Sequence, residues 1–285
     1  MSIYEKKKHP FEAVLYGLIY FAGAFAALLL IGIIGYVAVK GIGSINLTFL
    51  TTVKSIANGT FGILGYMVNT LYIIIITLLI ATPIGIGAAV YLTEYAKGGK
   101  LVTIIEFATE TLSGIPSIIF GLFGMVFFGQ TLGLGFSILC GSLTLTLMIL
   151  PIIIRTTQEA IKTVPESYRQ GALGLGAQKW RIIRTIVVPS ALPGIVTAVI
   201  LAIGRIVGES AALLFTAGSV YLLPQGIFSH LLSSGGTLTI GMYLEMAEGN
   251  TDNAFGIALV LVVLVLLINA ATKLITGRIN KKKGA

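Results

Sequence analysis

Residues 111–154 carry no formal charge at all, and uncharged stretches of comparable length recur along the chain. Nothing else limits the fold as strongly. A helix needs about 20 apolar residues to cross a hydrocarbon core of about 30 Å. In lipid the backbone must satisfy its own hydrogen bonds, which runs of this length do as helices. The totals agree, with 56% of residues hydrophobic and 11% charged, against about 25% charged in soluble proteins. The fold expected is therefore an all-α polytopic membrane protein.

Six spans are expected, at about 16–39, 65–91, 112–129, 134–154, 190–217 and 254–272. Pro83, Gly85 and Gly87 would let the second bend and approach a neighbour closely. Ser113, Pro116 and Ser117 interrupt the third near its start, which reads as a locally satisfied kink ahead of a direct substrate contact. Between the second and third, residues 93–110 carry Glu94, Lys97, Lys100, Glu106 and Glu110, a partly helical mixed-charge connector. Residues 218–253 lack Lys and Arg and contain Glu245, Glu248 and Asp252. Pro224 and Gly235-Gly236 suggest a short helix there, lying at a surface or dipping into it.

The basic residues give the orientation. Sixteen Lys and Arg fall on one side of these spans, Lys40 and Lys54 on the other, and Arg205 within a span. The positive-inside rule then puts both termini and residues 163–189 in the cytosol and 218–253 outside. Topology thus explains the net charge of +8 better than nucleic acid does, since no separate basic domain exists. The Lys6-Lys7-Lys8 start resembles a signal peptide, but the apolar run behind it is too long and lacks a clear cleavage site, so a retained anchor is expected. Cys140 is the single cysteine, so no intrachain disulfide is possible.

Residues 163–189 form a polar loop between apolar runs. Thr163 and Glu166 match a capping box with Pro165 in the first turn, which predicts a short helix toward Ala172. Gly171, Gly174 and Gly176 weaken helix and predict a turn. From Ala177 the pattern is helical again, with Trp180, Ile183, Ile186 and Val187 on one face and Lys179, Arg181 and Arg184 largely on the other. Two short helices around a glycine turn make a knob that fits a partner's groove; the plain alternative is a basic loop required only by topology.

Arg205 and Glu209 interrupt an apolar run at i and i+4, so on one helix they share a face and pair. An Arg at that depth costs about 2.5–3.5 kcal/mol and therefore faces protein or water. A structural ion pair is the bland reading. The functional one is a substrate path, because a planar guanidinium suits an oxyanion such as phosphate, sulfate or carboxylate. Gly204 and Gly208 would admit a neighbouring helix. Arg155 either joins that path from the cytosolic end or is an interface Arg that snorkels.

No catalytic signature is visible, and the G-x-x-x-x-G-K-[ST] loop is absent, so ATP binding by that route is excluded. His9 and His230 are far apart, without clustered acidic or thiol ligands, and read as surface histidines with no metal site. Asn58-Gly59-Thr60 matches a glycosylation sequon, a pattern common by chance.

Gln170-Gly171-Ala172, then Gly176, Ile186 and Val188-Pro189 match in spacing a pattern written EAA, three residues, Gly, nine residues, Ile, one residue, Leu-Pro. On this pattern the chain resembles the permeases of binding-protein-dependent ABC importers. Gln for Glu, Gly for Ala and Val for Leu are departures. Glu166 lies one turn upstream of the missing acid. Through LSGIPSIIFGLF from Leu112, LPIIIRTTQEAIKTVPESYRQGALGLGAQKW from Leu150 and GRIVGESAALLFTAG from Gly204, it is similar to the phosphate-specific members.

That resemblance implies a type I importer permease fold. It implies an ATPase-coupling loop using Glu166, Gln170, Gly171, Ala172, Gly176, Ile186 and Pro189. It also implies a substrate path with Arg205, Glu209 and Arg155, to which Ser113 and Ser117 are added as candidates. The implied partners are a second permease subunit, two ATPase subunits that bind ATP and Mg, and an extracytoplasmic phosphate-binding protein. The implied setting is the plasma (inner) membrane and its lipid. Residues 1–64 would hold the N-terminus, first span and outer connector, 65–276 the permease domain, and 277–285 a basic tail. The alternatives are an ABC permease for another oxyanion or an ATP-independent anion channel or carrier.

Overall fold

A computed structural model describes residues 10–55, 59–96, 98–224, 226 and 228–283. Helix α1 (Pro10–Gly41) is followed by a 3-10 turn (Ile42–Ser44), α2 (Leu47–Thr51) and a hairpin of β1 (Val53–Ser55) and β2 (Thr60–Ile63). Then come α3 (Leu64–Val90), a π-helical turn (Tyr91–Tyr95), α4 (Lys100–Gly114) and α5 (Ser117–Gly124), which a second π turn extends (Met125–Thr131). Next are α6 (Ile138–Lys162), α7 (Glu166–Gly174) and α8 (Lys179–Ile182). A π turn (Ile183–Val187) carries α8 into α9 (Val188–Val207), and α10 (Ala211–Thr216), a 3-10 turn (Ser229–Leu232), α11 (Leu238–Ala247) and α12 (Thr251–Lys283) complete the chain.

The architecture is mostly helical, as expected, apart from the hairpin. Its antiparallel strands pair Val53 with Ile63, where β-branched and aromatic residues flank Gly59 at φ 60°, a composition that favours strand and turn. Asn58, and with it the sequon, lies outside the described residues, as do Lys6-Lys7-Lys8, His9 and Lys97.

Among the described residues, five helices are long and apolar enough to cross a membrane, and the α4–α5 pair makes a sixth if counted as one span bent by 106°. The expected third span, 112–129, cut through this bend. Pro116 disfavours helical geometry in its predecessor, and Ile115 is extended at φ −75°, ψ 130°. The mixed-charge connector largely belongs to α4, with Glu106 and Glu110 on its exposed side. The fourth span lies at Ile138–Lys162, later than expected, because α6 continues past Arg155. The fifth runs Lys179–Val207 instead of 190–217: it takes in the second half of the polar loop and stops early at Gly208.

Helix α6 is the hub, largely buried and packed against α3, α9, α4, α5 and α10. A Cβ on Gly85 would lie 2.6 Å from Ile153 Cγ2, so the bare backbone lets α3 close on α6, whereas Gly87 faces open space. Two hydroxyls on α6 donate to their own helix, Thr144 to Cys140 O at 2.9 Å and Thr146 to Ser142 O at 2.8 Å, which satisfies these two groups without a partner helix. Helix α1 is peripheral and leans on α12, where the Tyr36 ring meets Phe255 edge-on at 5.6 Å.

At one end of the bundle, Lys54 Nζ donates to Glu245 Oε1 at 2.6 Å and Glu248 Oε2 at 3.2 Å, tying the hairpin to α11. The short helix expected between Pro224 and Gly236 is, among the described residues, the single 3-10 turn Ser229–Leu232. Gly235 N–H donates instead to Ala217 O at 2.9 Å and Gly236 N–H to Val220 O at 2.7 Å, so this backbone is held across the chain. His230 is buried and is no surface histidine. It bonds Asn69 Oδ1 on α3 at 2.7 Å, and Asn69 Nδ2 donates to Val220 O at 3.1 Å and Gly236 O at 3.2 Å.

Candidate functional site

Arg205 stands in the last turn of α9, just before Gly208 closes the helix. Glu209 lies past that end, so the pair does not share one helix face as the spacing suggested. Arg205 Nη2 still comes within 3.6 Å of Glu209 Oε2, with the arginine side chain 47% exposed and the glutamate 4%. That separation is an ion pair and too long for a good hydrogen bond. The other Glu209 oxygen accepts from Ala212 N–H at 3.1 Å, and its carbonyl accepts from Thr239 Oγ1 at 2.8 Å. Glu209 therefore caps α10, where its charge also suits the positive end of the helix.

Arg205 is held far less. Its other close polar contact is the Met148 thioether on α6, Nη2 to Sδ 3.8 Å. Gly204 and Gly208 do not receive a neighbouring helix: a Cβ at Gly204 would meet nothing, and one at Gly208 only the Gly204 carbonyl. The guanidinium thus opens onto a bare face of this chain.

Arg155 lies seven residues beyond Met148 on α6, about two turns or ~10 Å along the helix and on the same face. Its Nη2 lies 3.8 Å from Glu110 Oε2 and 3.5 Å from the Glu106 carbonyl, long contacts that link α4 to α6 loosely. Two weakly committed arginines therefore lie in file along α6. Ser113 does not join them by its hydroxyl, which donates to Thr109 O at 2.9 Å as a satisfied kink residue would. Ser117 opens α5 and is half-buried.

The loop 163–189 is a knob, but its local signals resolve differently. Thr163 does not cap α7: it ends α6, and its hydroxyl donates back to Ala160 O at 2.8 Å. Pro165 takes the cap position without a side-chain bond. Glu166 turns to Arg169, Nη1 to Oε2 3.4 Å. Gly176, at φ +79°, makes the turn in a left-handed conformation that a side chain would strain. Gln170 and Gly171 are exposed and Ala172 is buried. Past the turn, Ile182, Ile183 and Val187 are buried, Ile186 is half-buried and Trp180 is exposed. The π turn inserts extra chain into the helix and shifts its inward face away from Trp180. Pro189 falls in the first turn of α9. The knob leaves Leu173, Leu175 and Trp180 exposed.

The expectations from sequence missed Glu94 and Arg169. Arg169 Nη2 and Nε reach Glu94 Oε1 at 2.8 and 3.1 Å, between side chains 14% and 9% exposed. Nothing local announces a pairing across 75 positions.

A helical bundle with one arginine on its hub helix, a second beside it on α9 and a two-helix knob at one end is the form of a membrane transport permease. A family model described as "Binding-protein-dependent transport system inner membrane component" matches residues 81–284, and the chain belongs to that family of ABC importer permeases. A Bacillus subtilis relative, "Probable ABC transporter permease protein YqgI", is 35% identical over 279 residues, 93% of this chain and 95% of the relative. "Phosphate transport system permease protein PstA" of Haemophilus influenzae is 31% identical over 277 residues, 96% of each chain. Among solved structures, a bacterial alginate ABC transporter in complex with its pentasaccharide-bound periplasmic protein matches 95% of this chain and 96% of its own, with a TM-score of 0.70 and 15% identity. The fold is thus that of the type I importer permeases.

Proposed function

We propose that this chain forms half of the translocation path of an ATP-driven importer for inorganic phosphate. The observation that carries the reading is Arg205, half-exposed at a helix break. Glu209 lies near enough to offset its charge at 3.6 Å but is itself engaged by the Ala212 N–H, so the guanidinium fork stays free for a tetrahedral oxyanion. Arg155 extends the same electrostatics toward the knob. Phosphate is favoured over other oxyanions by the phosphate-transport name of a relative that aligns over 96% of both chains.

In this reading the knob sits in the cytosol and docks on two ATPase subunits, which bind ATP and Mg. The open Gly204–Gly208 face meets a second permease subunit. An extracytoplasmic phosphate-binding protein delivers to the end that carries the Lys54–Glu245 pair, and lipid of the plasma (inner) membrane covers the apolar periphery. ATP-driven movement of the knob tilts the attached helices between two accessible states.

Uptake of labelled phosphate into proteoliposomes holding the co-purified complex tests this. ATP-dependent uptake that excess sulfate does not compete is expected, and Arg205→Gln abolishes it in a complex that still assembles. Sulfate competition would move the substrate to another oxyanion, and uptake without ATP would point to a channel or carrier. Wild-type uptake by the Arg205→Gln complex would remove Arg205 from the path.

A further inference from the structure

Arg169 uses all three of its nitrogens. Nη2 and Nε bond Glu94 Oε1, Nη2 also donates to Ile161 O at 3.2 Å, and Nη1 donates to Val164 O at 2.7 Å. The two carbonyls belong to the C-terminal end of α6 and the turn after it, where helical partners run out. Glu94 belongs to the π turn that ends α3. A single guanidinium on the knob helix therefore clasps the ends of the two most closely packed helices of the bundle.

A second contact runs the same way, with Lys179 Nζ 5.1 Å from the centroid of the Tyr95 ring, a cation over an aromatic face. So both helices of the knob touch the same π turn, one on either side of Gly176. Between them lies a groove of about 430 Å³ lined by Glu94, Lys162, Glu166, Arg169 and Lys179 among others. At the far end of α3, about 37 Å away, Asn69 holds the loop 218–237 through Val220, Gly236 and His230. Helix α3 is thus a continuous rod joined by polar contacts to the knob at one end and to the opposite loop at the other.

We infer that Arg169 and Glu94 are positioning residues for transport: their ion pair is the joint through which movement of the knob is passed to α3 and so to the loop 218–237. This inference rests on the importer function proposed above. A nearly buried pair suits the task, because it is poorly screened and breaking one partner strands the other's charge. Shared contacts between two sites do not establish coupling by themselves, so the test must read coupling.

The measurement is phosphate transported per ATP hydrolysed by the full reconstituted complex, for wild type, Glu94→Gln, Arg169→Gln and the double variant. Each single variant is expected to lower the ratio about tenfold while ATP hydrolysis persists, and the double variant to lower it no further, since coupled residues are non-additive. Arg169→Lys keeps the charge but not the fork and is expected to recover part of the ratio. A wild-type ratio in Glu94→Gln would overturn the inference. So would independent effects that multiply in the double variant. If every variant, Arg169→Lys included, fails to assemble, the pair is structural and the inference also fails. Failure of the underlying function is distinguishable, since the wild-type complex would then show no ATP-driven phosphate uptake.

Discussion

Arg205 and Glu209 divide their work. The carboxylate is buried, caps α10 through Ala212 N–H and belongs to the scaffold, whereas the guanidinium is exposed and loosely held. Glu209→Ala removes both cap and charge and is expected to cost about 1–2 kcal/mol of stability. Glu209→Gln keeps an oxygen for the cap and should cost less than half as much, as read by thermal unfolding in detergent. Equal losses for the two would make the charge, not the cap, the stabilising part. His230 offers a different residue-scale test. Burial lowers its proton affinity below the ordinary value of 6.5, and its neighbours are the Asn69 amide, the Ser233 hydroxyl and the Tyr72 ring, set nearly perpendicular to it. The unfolded chain then takes up a proton that the folded chain resists. Its contribution is complete above pH 6.5 and declines as the pH falls through the depressed folded value. The melting temperature should drop between about pH 7 and about pH 5, and His230→Gln should flatten that slope.

At the scale of elements, close approach and helix breaks decide the path. Gly85 lets α3 reach α6, and Gly85→Ala should destabilise the chain by about 1–3 kcal/mol through overpacking. Ile153→Ala removes the Cγ2 that the new Cβ would strike, so the double variant should recover part of that loss; thermal unfolding of all three would show whether the contact sets the spacing. The bend at Pro116 and the break at Gly208 matter for the same reason. A continuous helix through 209 would leave Ala212 N–H to its own helix and release Glu209 to Arg205. Because α9 stops, the pair is slackened and the arginine is left available.

At the scale of the molecule, the two ends of the bundle carry different machinery, and the proposed orientation can be tested directly. Cys140 is buried and should not interfere with thiol labelling. A membrane-impermeant maleimide is expected to label Phe228→Cys, 82% exposed in the wild-type residue, from outside spheroplasts. It should reach Lys100→Cys, at the exposed start of α4, only in inverted vesicles. The reverse pattern would turn the protein over. Much of this architecture was legible beforehand, because charge avoidance in lipid is a property of each residue: uncharged runs mark the spans and glycines mark the knob's turn. The single arginine in an apolar run was likewise conspicuous, since its cost in lipid is large wherever it packs. The kink at Pro116 was announced too, though not its size of 106°; hidden from the sequence were the end of α9 at Gly208, the burial of His230 and the Glu94–Arg169 joint. These depend on which distant groups compete for the same hydrogen bonds. Local spacing predicted that Thr163 would cap α7 and that Arg205 and Glu209 would pair on one face. The fold kept the Arg205–Glu209 ion pair at 3.6 Å but gave the other Glu209 oxygen to Ala212, Thr163 to Ala160 and Arg169 to Glu94, because a polar group in an apolar interior bonds the partner that packing brings within reach, however far away it lies in the chain.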